Sequence, residues 1–120
     1  MTIQVKRVYE EPARGDGYRV LVDRLWPRGL TKDLAALDRW DKGVAPSPEL
    51  RKQFKAAPME LAEFRKLYLK ELRSNPDSIA DLLEAHRKSR KKALTLLYAS
   101  RDTEDNHALV LRDVIGRSAR

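Results

Sequence analysis

ALTLLY at residues 93–98 and YRVLV at residues 18–22 are short, almost uninterrupted apolar runs. Runs of this kind are typical of strands that are buried on both faces of a parallel sheet. Helical patterns lie between the two runs and after the second, and strands that feed helices indicate an α/β domain. We therefore predict an α/β fold, a small sandwich with a largely parallel central sheet of about four strands flanked by helices.

Two further segments complete the predicted sheet. Residues 3–9 alternate imperfectly between apolar and polar side chains and predict a first strand. Residues 10–17 contain one proline and two glycines, which indicates a loop. Residues 37–44 (LDRWDKGV) fit either a third strand or a helix that continues from Thr31, which can cap a short helical turn. We favour the strand.

Helix signals fill the middle of the chain. Ser47-Pro48-Glu49 combines an N-cap, a first-turn proline and a first-turn acid, and predicts a helix to about residue 54. Pro58 opens a second predicted helix, and Asn75-Pro76 ends it and begins a third. Helical spacing predicts the buried faces of these two helices, which are Leu61, Phe64, Tyr68 and Leu72 on the second and Ile79, Leu82, Leu83 and His86 on the third.

A last helix is predicted after the apolar run at residues 93–98. It begins near Asp105, and Gly116 and the basic tail end it. Four apolar residues at helical spacing form its predicted buried face, namely Ala108, Leu111, Val114 and Ile115.

Composition limits the class of protein. The 120 residues, 42% hydrophobic and 36% charged, indicate one globular domain spanning residues 1–120. The chain has no cysteine, which excludes disulfides, thiolate catalysis and cysteine-based zinc sites. No apolar run is long enough to cross a bilayer, and the N-terminal residues lack the apolar core of a signal peptide. We therefore expect a cytoplasmic protein with no membrane partner.

The formal net charge of +7 favours anionic partners such as nucleotides, phospho-metabolites or nucleic acid, although it also serves solubility. A basic run occupies residues 87–92, where a predicted helix ends. Cations stabilise helix C-termini, and no aromatic residue is interleaved for base stacking. A nucleic-acid partner is therefore the second alternative, behind an anionic small molecule. The oligomeric state is not predicted.

The candidate site lies where the two apolar strands end. Ligands of open parallel sheets bind beyond the carboxyl ends of the strands. The polar clusters at these ends are Asp23, Arg24, Trp26 and Arg28 after the first run, and Ser100, Arg101 and Asp102 after the second. If the two strands are parallel neighbours, both clusters converge on one cleft.

Each residue type has a role in that cleft. Arg24, Arg28 and Arg101 can grip phosphate or carboxylate oxygens with their planar guanidinium groups, and Ser100 can add a hydrogen bond. The candidate catalytic residues, which can orient a ligand or exchange a proton with it, are Asp23, Asp102 and His107, while Trp26 can wall the cleft.

Other roles for the same residues stay open. A nucleophilic Ser100–His107 pair is the weaker hypothesis, because the chain has no G-x-S-x-G elbow. The same aspartates and arginines also fit structural ion pairs and helix caps. A third functional alternative is a protein-interaction domain without catalysis.

No metal and no cofactor are expected. The two histidines are far apart in the sequence, and the five glycines do not form a dinucleotide-binding or P-loop pattern. A magnesium ion held by Asp23 and Asp102 has no support beyond the two carboxylates.

Four stretches resemble the YeaO-like branch of the family called domain of unknown function 488. They are VKRVYEEP, DGYRVLVDRLWPRGL, LDRWDKGVAPSPELRKQF and LTLLYASRDTEDNHALVLRDVI, with DRLWPRG at residues 23–29 the most specific. The resemblance implies a compact bacterial α/β domain of no established activity. Other branches of the family carry a cysteine near the position of Ala99 or Ser100, so any cysteine-based chemistry of those relatives is in doubt here.

Overall fold

The computed structural model describes residues 2–56, 61–103 and 106–118. These residues form four strands, five α-helices and two 3₁₀ turns. The strands are β1 (Thr2–Arg7), β2 (Tyr18–Leu21), β3 (Arg39–Trp40) and β4 (Ala93–Tyr98). The helices are α1 (Lys32–Ala35), α2 (Pro48–Ala56), α3 (Leu61–Ser74), α4 (Pro76–Ser89) and α5 (His107–Ser118). None of these helices is long and apolar enough to cross a membrane.

All strand pairs in the sheet are parallel, in the order β1-β4-β2-β3. The predicted α/β fold is therefore confirmed, and the two apolar runs become the two inner strands. Leu94 and Leu97 of β4 lie opposite Tyr18 and Leu21 of β2, so the two strands end at the same edge of the sheet. The third strand exists but is short, because a 3₁₀ turn at Lys42–Val44 follows Trp40.

Both faces of the inner strands are covered. Val20 and Val22 of the β2 segment, with Leu94 and Leu96 of β4, face the larger core, which α3, α4 and α5 cover with buried residues such as Tyr68, Leu82 and Leu111. Leu21 and Leu97 face the other way, into a smaller cluster beneath the segment after β2, where Trp26 and Trp40 pack. Burial on both faces explains why these strands are continuously apolar.

The helix caps follow the predicted pattern. Thr31 Oγ1 accepts a hydrogen bond from the Leu34 amide, and Ser47 Oγ accepts one from the Leu50 amide. His86 is buried on α4, as its apolar stripe predicted.

One expectation about helix residues is wrong. Leu61 stays 36% exposed at the start of α3, although Phe64, Tyr68 and Leu72 are buried. The last helix, α5, passes Gly116 and ends at Ser118, within the basic tail. The predicted helix starts at Pro58 and Asp105 lie outside the described residues.

A buried ion-pair network stabilises the end of the sheet where the strands begin. Asp16 Oδ2 lies 2.5 Å from Arg19 Nη1 and 3.1 Å from Lys6 Nζ, and the Ala13 amide donates to the same carboxylate. Burial by itself would raise the pKa of Asp16, but the Ala13 amide, Lys6 and Arg19 outweigh it, and the pKa lies below its ordinary value. This network therefore requires an ionised Asp16.

Candidate functional site

A cleft of about 760 Å³ lies at the carboxyl ends of the strands. Its volume is within the range of pockets that hold small ligands. The segments after β1, β2 and β4 meet there with α2, α3 and the start of α5. Its polar lining residues are Asp23, Arg24, Arg28, Arg51, Ser100, Arg101, Asn106 and His107. The structure thus brings together seven of the eight residues that the sequence nominated, and Asp102 is the exception.

Asp23 joins the two inner strands at the cleft. Its Oδ2 accepts a hydrogen bond of 2.9 Å from the amide of Ala99, the residue that follows β4. Its carbonyl accepts a hydrogen bond of 2.7 Å from Trp40 Nε1. The carboxylate is therefore both part of the cleft and a link between the ends of β2 and β4.

His107 is the first residue of α5 and faces the same carboxylate. Its Nε2 lies 3.0 Å from the Val22 carbonyl oxygen and 2.9 Å from Asp23 Oδ1. Both neighbours are acceptors, so Nε2 carries a proton. The hydrogen bond goes to Val22, and Asp23 Oδ1 is a buried oxygen with only the ion-pair contact.

Four arginines line the cleft, and none of them forms an ion pair within the described part of the chain. Arg24 is oriented by a hydrogen bond of 3.2 Å from Nε to the Pro46 carbonyl oxygen. Arg28 and Arg101 are exposed, and Arg51 reaches the cleft from α2. The arrangement offers several guanidinium groups to an anion, and among the described residues Asp23 is the carboxylate in the lining.

Trp26 walls the cleft and also stabilises the segment after β2. Its Nε1 donates a 2.6 Å hydrogen bond to the Leu30 carbonyl oxygen, and its ring packs edge-on against Trp40 with a centroid separation of 5.3 Å. The DRLWPRG segment is thus held by indole contacts beneath it while Arg24 and Arg28 face the cleft.

Ser100 and Asp102 lie in the segment between β4 and α5, and a hydrogen bond joins them. Ser100 Oγ accepts a hydrogen bond from the Asp102 amide, and no Ser100–His107 hydrogen bond occurs between the described residues. Asp102 lies outside the lining of the cleft. Its carbonyl oxygen accepts from Asn106 Nδ2, while Asn106 Oδ1 caps α5 by accepting from the Leu109 amide. The cap of α5 is therefore Asn106, which is buried beside His107.

Sequence reasoning missed residues whose exposure it could not foresee. Four of the five large apolar side chains that are exposed in the described chain line this cleft, namely Tyr9, Leu25, Phe54 and Leu61. Arg51 was also missed, because an arginine on an amphipathic helix has no distinguishing signal.

Arg7 is a further missed residue, and it contacts three residues that line the cleft, Tyr9, Ala99 and Ser100. It donates hydrogen bonds of 2.8 Å to the Ser100 carbonyl oxygen and 3.1 Å to the Ala99 carbonyl oxygen. Its guanidinium also lies over the ring of Tyr9, 5.1 Å from the centroid. It thereby couples the end of β1 to the segment after β4.

The basic run at residues 87–92 lies at the opposite end of the sheet, before β4 begins. Arg87 and Lys88 pair with Glu84, and Lys91 pairs with Asp38. Much of this positive charge is therefore neutralised by neighbouring carboxylates, and none of it lines the cleft.

Within the described residues, no group of three or more histidine, aspartate or glutamate side chains is placed to hold a metal ion. No solved structure gives a significant match to this chain.

Curated relatives cover almost the whole chain. "Uncharacterized protein YeaO" of Escherichia coli K12 is 50% identical over 113 residues, which are 94% of this chain and 96% of that protein. "Uncharacterized protein Mb3100c" of Mycobacterium bovis is 38% identical over 113 residues, which are 94% of this chain and 92% of that protein. The family model described as the inactive DUF488-N3 subclade matches residues 2–119. The predicted resemblance to YeaO-like members of domain of unknown function 488 is confirmed, and the chain belongs to the DUF488-N3i family.

Proposed function

We propose that this protein is a binding domain for an anionic small molecule, which occupies the cleft at the carboxyl ends of the strands. The observation that carries the proposal is the set of four cleft-lining arginines without a carboxylate partner among the described residues. Guanidinium groups match phosphate and carboxylate oxygens in a bidentate manner. A cleft lined by positive charge raises the local concentration of anions.

Binding without turnover agrees with the word "inactive" in the description of the family. The Asp23–His107 pair then has a structural role in the cleft, because Asp23 Oδ2 binds the Ala99 amide and His107 Nε2 binds the Val22 carbonyl oxygen. The cysteine that other branches carry near Ala99 or Ser100 is absent from this chain, which removes one nucleophile.

The first experiment titrates inorganic pyrophosphate into the protein at low ionic strength and measures the heat of binding or the change in Tm. A ligand that binds only the native state raises Tm. The double variant Arg28→Gln/Arg101→Gln is expected to weaken binding by about tenfold or more, since a hydrogen bond to a charged group contributes roughly 1.5–3 kcal/mol.

The matched control is Arg90→Gln/Lys92→Gln, which removes the same charge at the opposite end of the sheet. The control is expected to keep the dissociation constant for pyrophosphate within about twofold of the wild-type value. Any remaining difference comes from the lower net charge of the protein, and added salt screens it. An equal loss in both variants, or no pyrophosphate binding at millimolar concentration, would contradict a cleft site for anions.

The nucleic-acid alternative makes the opposite prediction for the same variants. A module that uses the basic run at residues 87–92 would lose DNA or RNA affinity in the control variant and keep it in the cleft variant. The pairing of Arg87, Lys88 and Lys91 with carboxylates favours the cleft.

A further inference from the structure

We propose that the exposed ring of Tyr9 is a stacking platform for the base of a nucleoside phosphate whose phosphate lies against the cleft arginines. This inference rests on the proposed anion site and names the class of its ligand. Tyr9 belongs to no motif that the anion site uses, yet its ring lines the cleft and is 42% exposed.

The position of the Tyr9 ring is fixed at both ends. Its hydroxyl donates a 2.9 Å hydrogen bond to the Arg28 carbonyl oxygen. The Arg7 guanidinium covers part of the ring at 5.1 Å from the centroid. Arg7 is itself held by the carbonyl oxygens of Ala99 and Ser100. An exposed aromatic group that is already ordered loses little further freedom when a ligand packs on it.

The exposed apolar side chains of the cleft form a group around Tyr9. Single exposed apolar side chains are common on protein surfaces and need no explanation. Here Leu25, Phe54 and Leu61 join Tyr9 in one cleft, while one large apolar side chain, Leu34, is exposed elsewhere in the described chain. Phe54 packs edge-on against Phe64 at a centroid separation of 4.7 Å, which holds a second exposed ring in place.

A nucleoside phosphate satisfies both parts of this surface. Inorganic phosphate or a sugar phosphate would leave the aromatic groups without a partner, and a purely apolar ligand would leave the arginines without one. Bases stack on aromatic side chains with little dependence on sequence, because each base has a planar π face. The same chemistry is presented by a free nucleotide and by single-stranded nucleic acid.

The experiment compares ligands with and without a base. Dissociation constants for AMP, UMP and ribose 5-phosphate are measured on wild type, Tyr9→Phe and Tyr9→Leu. AMP is expected to bind wild type roughly 5- to 150-fold more tightly than ribose 5-phosphate, since stacking of one base contributes about 1–3 kcal/mol. Tyr9→Leu is expected to abolish most of that advantage, while its affinity for ribose 5-phosphate is expected to equal that of Tyr9→Phe, which lacks the same hydrogen bond to Arg28.

Tyr9→Phe is the matched control, because it keeps the ring and removes only the hydrogen bond to Arg28. It is expected to retain the preference for AMP. Equal affinity of wild type for AMP and ribose 5-phosphate overturns the stacking role while leaving the anion site intact. Failure of pyrophosphate, AMP and ribose 5-phosphate to bind at all overturns both proposals. If Tyr9→Leu lowers the affinity for all ligands by the same factor, the role of Tyr9 is to hold the Arg28 backbone, and stacking is also overturned.

Two further measurements separate the sources and guard against a variant that does not fold. Nuclear Overhauser effects between the Tyr9 ring and base protons of AMP are expected in the wild-type protein, and their absence at saturation contradicts stacking. A single-stranded tetranucleotide that binds more tightly than AMP identifies a strand as the source, and equal or weaker binding identifies the free nucleotide. A tetraglutamate peptide that binds more tightly than AMP and the tetranucleotide overturns the proposal.

Discussion

His107 Nε2 lies 2.9 Å from Asp23 Oδ1, so the first residue of α5 is held against the residue that follows the β2 segment. The contact is mostly buried, with side-chain exposures of 15% for His107 and 16% for Asp23. Asp23 also accepts from the Ala99 amide. One carboxylate therefore connects β2, β4 and α5 at the floor of the cleft.

Replacing Asp23 by asparagine tests this connection. The amide can keep only one acceptor oxygen, so it must present an N–H group either to the Ala99 amide or to His107 Nε2. We expect a loss of about 1–3 kcal/mol in the free energy of unfolding, measured by urea denaturation. Asp33→Asn, on the exposed start of α1, is the control and should change stability by less than about 0.5 kcal/mol. If the Asp23→Asn variant is as stable as the control, the contacts of the Asp23 carboxylate contribute nothing to the free energy of unfolding.

The Asp16 network predicts a larger effect at the other end of the sheet. Asp16→Asn leaves Arg19 buried without its anionic partner, and Arg19 is only 5% exposed. Breaking a buried ion pair by removing one partner costs roughly 3–5 kcal/mol. Urea denaturation at pH 7 measures the loss, with Asp81→Asn on the exposed face of α4 as the control.

The lowered pKa of Asp16 also predicts a pH dependence. A carboxyl group whose pKa is lower in the folded state binds fewer protons there, so its contribution is complete above the ordinary value of 3.8 and is lost as pH falls through the folded pKa. The stability difference between wild type and Asp16→Asn should therefore be constant between about pH 6 and 8 and shrink below about pH 4. A difference that grows on acidification would contradict this assignment.

Gly17 is required where β2 begins. Its φ is +64°, and a Cβ there would overlap the Ala93 carbonyl group at the start of the neighbouring β4. Gly17→Ala is expected to destabilise the protein by about 2–4 kcal/mol, from backbone strain together with steric overlap. Gly15→Ala is the matched control, because a Cβ at Gly15 meets no atom within 4 Å. Thermal denaturation should give a much lower Tm for the first variant only.

Arg7 is predicted to order the segment after β4. Arg7→Met keeps the length of the side chain but removes the donors to the Ala99 and Ser100 carbonyl oxygens. Amide hydrogen exchange at residues 100–102 should accelerate by roughly tenfold or more, since each lost hydrogen bond involves a charged donor. Arg14→Met on the exposed 3₁₀ turn before β2 is the control. Unchanged exchange at these amides would exclude an ordering role for Arg7.

The helix caps and inner strands were predictable because their signals are local. Ser47 and Thr31 cap helices through bonds to amides only three residues away. Leu61 was assigned wrongly because helical spacing shows which residues share a face, not how far the core extends along it. Its face is buried from Phe64 onward and opens into the cleft at Leu61.

The site was predictable only to the level of strand ends. The rule for parallel sheets located Asp23, Arg24 and Arg101 correctly at one cleft. It also assigned Asp102 to that cleft, and this assignment is wrong. The rule fails there because the direction of a residue within a short segment depends on its own backbone contacts. Asp102 contributes its amide and carbonyl to the Ser100 and Asn106 side chains instead.

By itself, the sequence determined that YRVLV and ALTLLY are buried strands, since continuous apolar runs must be covered on both faces. It also determined the family, through segments that span almost the whole chain. Only the tertiary structure decided that β4 lies between β1 and β2, that His107 reaches Asp23, and that Arg7 reaches the carbonyl oxygens of Ala99 and Ser100. These relationships join residues distant in sequence, and they depend on how whole elements pack rather than on any local pattern.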